Sequence, residues 1–283
     1  MKPNIETFIG CEASFEEATT VLFGAPFDST TSFRPGTRFA SKAIRGESFG
    51  LETYSPYQDK DLVDMAIFDS GDLELSFGRV ELALANIKAH TAKILAASKR
   101  PFMIGGEHLV TLGAFEAVFE KYPDVHIIQL DAHTDLRDQY LDAKLSHATV
   151  IRRIHDLVGD DRIYQFGIRS GEREEFQFAK KHTHLQPFNF EGLAETVDAL
   201  KAKNVPIYFT IDLDVLDPSI FPGTGTPEAG GMSFIDVLNA IIKISELTIV
   251  AMDVNELSPQ YDLSGASTAV ACKVVRELLI ATN

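Results

Sequence analysis

The sequence predicts an α/β protein built on a parallel sheet with crossover helices, and three observations carry that reading. Short β-branched or aromatic runs recur along the chain, longer segments of helical period separate them, and the runs end on clusters of Asp, His and Gly. In chain order the runs are VLFGAPF (21–27), a weaker one near Met65, FMIG (102–105), VHIIQL (125–130), IYQFGI (163–168), a weaker one near Leu185, PIYFTI (206–211) and TIVAMD (248–253). Each is short and rich in residues that suit a pleated, buried surface. Between them Val80, Leu84, Ile87, Thr91 and Ile94 recur at helical spacing, as do Phe234, Leu238 and Ile241, and Val270, Val274 and Leu278. No Pro/Gly/Ser linker, charge block, composition shift or internal repeat divides the chain, which predicts one domain over 1–283. Pattern alone also admits a closed eight-unit barrel of this length.

With 283 residues, 45% of them hydrophobic and 24% charged, the chain has the material for a sizeable core. The formal net charge of −15 disfavours nucleic acid and anionic lipid and favours cationic guests. No stretch approaches the roughly 18 apolar residues of a membrane helix, and the start lacks an apolar signal core. A cytoplasmic protein with no membrane and no nucleic-acid partner is expected. The two cysteines, Cys11 and Cys272, lack metal spacing and are expected to be buried reduced thiols.

In a parallel architecture the reactive face lies at the carboxyl ends of the strands. Four runs end there on unusual residues. Gly105, Gly106, Glu107 and His108 follow the first, then Asp131, Ala132, His133, Thr134 and Asp135; Asp212, Leu213, Asp214 and Asp217 follow 206–211, and Glu256 follows 248–253. Residues two apart in an extended segment point the same way, so Asp131, His133 and Asp135 can face one point, and Asp212 and Asp214 likewise. Four carboxylates gathered in a partly dry site repel unless cations are shared among them. Two divalent ions neutralise them, and a donor set rich in oxygen suits Mn²⁺ better than zinc. Glu107 and Asp217 adjoin these residues and are candidates to orient His108 and the 212–214 segment. His90, His126, His155, His182 and His184 lie outside the strand ends and read as structural or solvated. The run 222–227 (PGTGTP) lacks the Lys and Ser/Thr ending of a phosphate loop and reads as a rigid loop at the site mouth.

The segments RPGTR (34–38), LETYSPY (51–57), GGEHLVT (105–111), DAHTDLR (131–137), SHAT (146–149), TIDLDVLDPSIFPGTGTPEAGG (210–231) and Glu256 within VNELSPQYD resemble the ureohydrolases, the arginase and agmatinase superfamily, and most closely its bacterial agmatinases. The resemblance spans nearly the whole chain. It implies a single-domain three-layer αβα fold with a mostly parallel open sheet of about eight strands, and assembly as a homotrimer or homohexamer. It implies two Mn²⁺ per subunit, one held by His108, Asp131, Asp135 and Asp212, the other by Asp131, His133, Asp212 and Asp214. A hydroxide held between the ions would attack the guanidinium carbon of agmatine, giving putrescine and urea. Glu256 resembles the residue that pairs with the guanidinium, and His147 the one that carries a proton to the leaving amine.

The tail of the small cationic guanidino substrate is less clearly written. Arg137 stands where arginases carry an Asn for the amino-acid head, and a cation at the mouth would suit a carboxylate tail, as in guanidinobutyrate or formiminoglutamate. Ala229 and Ala148 depart from the common agmatinase pattern without touching a ligand position. Two rivals of other classes are a Mg²⁺-dependent phosphoryl-transfer enzyme, which would need basic residues or a Gly-rich helix start, and an inactive metal-binding homologue.

Overall fold

The computed structural model describes residues 6–283. The described strands are β1 (Thr20–Gly24), β2 (Tyr54–Ser55), β3 (Lys60–Asp61), β4 (Ile67–Asp72), β5 (Arg100–Ile104), β6 (His126–Leu130), β7 (Ile163–Ile168), β8 (His184–Pro187), β9 (Ile207–Asp212) and β10 (Ile249–Asn255). The helices are α1 (Ala40–Ser48), α2 (Val80–Ala96), α3 (Val110–Lys121), α4 (Val150–Val158), α5 (Arg173–His182), α6 (Leu193–Lys203), α7 (Phe234–Ile244) and α8 (Ala266–Thr282). Eight strands form one sheet in the order β4-β1-β5-β10-β9-β6-β7-β8, and every pairing in it is parallel. β4 and β8 end the sheet without meeting, so it is open and the barrel alternative falls.

A parallel sheet covered on both faces needs apolar side chains on both, which is why its strands read as continuous runs. Ile127 points to one side, where α2, α3 and α4 contribute Ile87, Phe115 and Ile151. Ile128 and Leu130 point to the other, where α1, α7 and α8 contribute Ile44, Ile241 and Leu278. The sequence runs locate all eight sheet strands, with two informative shifts. The first ends at Gly24 rather than 27, because Pro26 has no N–H and the Phe27 carbonyl is taken by the Glu107 N–H at 2.8 Å. The last continues to Asn255, so Glu256 follows directly on the strand.

Helices α1 and α3 to α6 and the short β2–β3 hairpin lie outside the sequence reading, although α4 carries an apolar stripe at Val150, Ile151, Ile154 and Val158. In α3 most positions from Val110 to Val118 are buried, so no polar stripe alternates with the apolar one. Cys11 and Cys272 are buried and free, as expected, and burial pushes the Cys272 thiol up to about 12. His90 packs against Phe23 and His126 stacks on Tyr164, and burial pushes both imidazoles down to about 4. Among the described residues no helix is long and apolar enough to cross a membrane.

Candidate metal centre

The four adjacent strands β5, β10, β9 and β6 end at one rim. After β5 the chain threads between Phe27 and Asn255, and only glycine fits there. A Cβ would lie 1.8 Å from Asn255 Oδ1 at Gly105 and 2.0 Å from the Phe27 carbonyl oxygen at Gly106. That passage delivers Glu107 and His108 to the start of α3.

The structure brings His108, Asp131, His133, Asp135, Asp212 and Asp214 together. His108 Nδ1 lies 3.0 Å from Asp131 Oδ2, 3.1 Å from Asp135 Oδ2 and 3.4 Å from Asp212 Oδ2. His133 Nδ1 lies 2.9 Å from Asp214 Oδ2 and 3.6 Å from Asp131 Oδ1. At this rim two groups are able to hold a cation, His108 with Asp131 and Asp212, and His133 with Asp131 and Asp214, and Asp131 belongs to both. Asp135 adjoins the first group through His108.

Strand alternation explains less of this than the spacing suggested. Asp212 closes β9 and its Oδ1 accepts the Asp214 N–H at 2.9 Å, opening a 3₁₀ turn over Leu213–Val215. Asp135 adopts φ 53°, well off the extended backbone. Beyond the sheet the ladder no longer occupies the backbone N–H groups, so they bond to these carboxylates instead: His133 N–H to Asp131 Oδ1 at 2.6 Å, Ala132 N–H to Asp214 Oδ1 at 3.2 Å. Asp135 and Glu256, at φ 68°, are two site residues in the left-handed region, which costs about 1–2 kcal/mol for a side chain other than glycine.

These residues fit a metal pair on an observation of their own. His108 Nδ1 is buried with no hydrogen-bond partner, yet three carboxylates surround it. Its other nitrogen is fixed: Nε2 lies 2.9 Å from Thr210 Oγ1, and that hydroxyl donates to Asp253 Oδ1 at 2.6 Å, so Nε2–H donates to Thr210 and Nδ1 keeps its lone pair for a cation. Burial opposes ionisation of Asp131, but the neighbouring His108 and His133 imidazoles outweigh this and hold its carboxyl below the usual range. Burial and then the Asp131 charge push Asp135 up to about 7. Burial, then Asp214, Asp131 and Glu256, push Asp212 well up. Such crowding is relieved by cations.

Thr210, Asp253 and Gln129, whose Nε2 donates to Asp131 Oδ2 at 2.6 Å, are supporting residues that the sequence reading missed. A signal existed for Thr210, which precedes Asp212 by two in a strand and so shares its face.

Glu256 is buried beside this cluster, its N–H donating to the Gly106 carbonyl and its Oε1 accepting the His108 N–H at 2.8 Å. His147 Nε2 lies 3.0 Å from Ser32 Oγ in a cavity of about 240 Å³ that His133, Arg137, Tyr140, Glu172 and Thr226 also line. Burial, reinforced by the charge on His133, pushes His147 down to about 4. Arg137 stands at this mouth but is not a free cation. Its Nη1 lies 2.7 Å from Glu172 Oε1, its Nε 3.5 Å from Glu175 Oε2, and its guanidinium 4.5 Å over the Tyr140 ring. The 222–227 loop does reach the site: Thr226 lines the cavity and donates to Asp214 Oδ2 at 3.3 Å.

Two expectations are corrected. Glu107 does not orient the His108 ring, whose Nε2 Thr210 already holds. Its carboxylate accepts the Thr30 N–H at 2.8 Å and hydroxyl at 2.6 Å, and the Thr31 hydroxyl at 3.1 Å; burial pushes it up to about 7. Thr30 Oγ1 in turn accepts the His147 N–H at 3.0 Å, so Glu107 braces the His147 side of the site. Asp217 does not orient the 212–214 segment either: its carboxylate accepts N–H bonds from Ser219, Gly230 and Gly231, each at 2.9 Å, and closes the loop that carries Thr226.

Comparisons with known proteins bear on the family and the fold. The model of the arginase family matches residues 18–281. The agmatinase of Bacillus anthracis is 45% identical over 278 residues, which cover 97% of this chain and 96% of that one. A crystal structure from Clostridium difficile aligns with a TM-score of 0.92 at 53% identity, covering 95% of this chain and 98% of that one. The agmatine ureohydrolase of Thermoplasma volcanium aligns with a TM-score of 0.89 at 34% identity, covering 99% and 94%. A match of this extent, in sequence as well as in the path of the chain, has one reading: the protein belongs to the arginase family.

Proposed function

We propose that the protein is a ureohydrolase that cleaves the guanidinium group of agmatine to putrescine and urea, using two Mn²⁺ per subunit. The observation that carries it is the buried, unpartnered His108 Nδ1 facing three carboxylates beside Glu256. His108, Asp131, Asp135 and Asp212 are the ligands of one ion, and Asp131, His133, Asp212 and Asp214 those of the other. Two imidazoles among four carboxylates favour Mn²⁺ over zinc. Bound there, the ions supply a water acidic enough to act as nucleophile at neutral pH. Everything else falls to side chains of this chain.

Burial is the main force pushing the Glu256 carboxyl up, with Asp214 and Glu107 adding to it, so a cation beside Glu256 is favoured. A guanidinium meets a carboxylate through two parallel hydrogen bonds, which orient its carbon and exclude other poses. His147, neutral at pH 7, takes up a proton in the reaction and passes it to the departing amine, which leaves poorly without it. At the mouth Glu172 and Glu175 offset the Arg137 charge, and Glu228 adds a further carboxylate, its Oε1 held by Ser170 Oγ at 2.8 Å. An excess of carboxylate there favours the ammonium tail of agmatine over the carboxylate tail of guanidinobutyrate or formiminoglutamate. It also disfavours a phosphate substrate. A cytoplasmic, single-domain subunit assembled as a trimer or hexamer completes the proposal.

Purified protein loaded with Mn²⁺ and offered agmatine, arginine, guanidinobutyrate and formiminoglutamate tests it. Urea and putrescine are expected from agmatine at the highest kcat/KM. Preference for a carboxylate tail moves the substrate assignment, and the absence of urea or formamide from every substrate refutes the hydrolase reading.

Glu256→Gln is expected to lower kcat/KM for agmatine about 10²-fold or more, because leaving one partner of a buried ion pair unmatched costs on the order of 3 kcal/mol. Steady-state kinetics at constant Mn²⁺ content measures this. An unchanged kcat/KM removes the guanidinium role from Glu256.

A further inference from the structure

Away from the carboxyl-end rim, at the amino-terminal edge of the sheet, three side chains converge that the proposed reaction does not use. His155 lies in the last turn of α4 and His182 in the last turn of α5. Between α4 and β7 the chain turns sharply, with Gly159 at φ 74° and Asp161 at φ 65°, and the turn sets Asp160 against both rings. Asp160 Oδ1 lies 2.8 Å from His155 Nε2 and 2.8 Å from His182 Nδ1. The ring planes are 70° apart with centroids 5.4 Å apart, so the rings meet edge to face rather than stacked. Phe178 packs on both, 4.9 Å from His155 and 4.3 Å from His182, and holds that orientation.

Two helix C-termini also converge here, and their free carbonyls carry partial negative charge. Two imidazoles, a carboxylate and two negative helix ends together define a place for a cation. All the donor atoms lie within 4.8 Å of one another. We propose that His155, Asp160 and His182 form a separate metal site that takes a borderline divalent ion such as Zn²⁺, with water as fourth ligand. The donor set differs in kind from the rim cluster: imidazole dominates, which suits zinc over manganese. Tetrahedral bonds of zinc length set their donors about 3.4 Å apart, so Asp160 has to retreat by a few tenths of an ångström. It is free to do so, since its side chain is 54% exposed. The bound ion clamps the ends of α4 and α5 to the turn before β7. None of this rests on the hydrolase reading.

Protein whose rim cluster has been filled with Mn²⁺ is equilibrated with chelator-buffered Zn²⁺ at pH 7.5, and both metals are counted by elemental analysis. One Zn²⁺ per chain is expected with Mn²⁺ unchanged, and His182→Ala and Asp160→Asn each weaken its uptake at least 10-fold while retaining Mn²⁺. In the wild-type protein, nitrogen-15 spectra of the histidine side chains are expected to show His155 and His182 shifting on Zn²⁺ addition, a readout that requires no variant to fold. Zinc gained only in exchange for manganese, equal uptake by wild type and both variants, or unshifted His155 and His182 signals overturns the site and leaves a plain His–Asp–His hydrogen-bond cluster.

Discussion

Asp131→Asn is expected to lose both metals and to lower kcat/KM at least about 10³-fold, because metal-ion charge stabilisation amounts to several kcal/mol and about 4 kcal/mol already corresponds to that factor. The reason lies in the position of one carboxylate. Asp131 is fully buried, its Oδ2 lies 3.0 Å from His108 Nδ1 and its Oδ1 3.6 Å from His133 Nδ1, so both candidate ion sites draw on it. Asn keeps the shape but removes the charge and turns one ligand atom into a donor. The packing around it survives, and circular dichroism should match the parent. Elemental analysis beside kinetics checks the outcome. Full manganese content in this variant would mean that the two sites do not share Asp131.

His147→Ala is expected to separate binding from turnover. The ring is not among the side chains proposed to bind metal; it faces the mouth cavity with Nε2 3.0 Å from Ser32 Oγ. Losing it leaves manganese content and KM near the parental values and lowers kcat by about 10²–10⁴-fold, the usual contribution of a positioned proton carrier. Added imidazole, small enough for the space vacated, restores part of kcat. Substrates whose leaving group needs no protonation suffer less. A fall in manganese content equal to the fall in kcat would make His147 a structural prop of the cluster instead.

Much of the architecture was legible because its signals are local. Continuous apolar runs mark strands covered on both faces, and 125–130, 163–168 and 206–211 match the observed strands to within one residue at each end. The stripe of α2 was legible and α3, buried nearly all round, was not; α4 was overlooked although Val150, Ile151, Ile154 and Val158 form an apolar stripe that its sequence shows. The rim residues were visible as polar clusters ending apolar runs. Their support was not: nothing local to Glu107 says that its partners are Thr30 and Thr31, nor that Asp253 reaches His108 through Thr210.

The sequence by itself determined the layered α/β class, the ends of the strands that carry chemistry, and the types of donor gathered there, since composition and period act within a few residues. Only the tertiary structure decided that β5, β10, β9 and β6 stand side by side, that Asp131 lies between His108 and His133, and that Asp135 and Glu256 take left-handed backbone to reach the cluster. It alone brought His155, Asp160 and His182 to one point. Those outcomes depend on strand order and on hydrogen bonds between segments distant along the chain, and no periodicity encodes which distant partner a side chain meets.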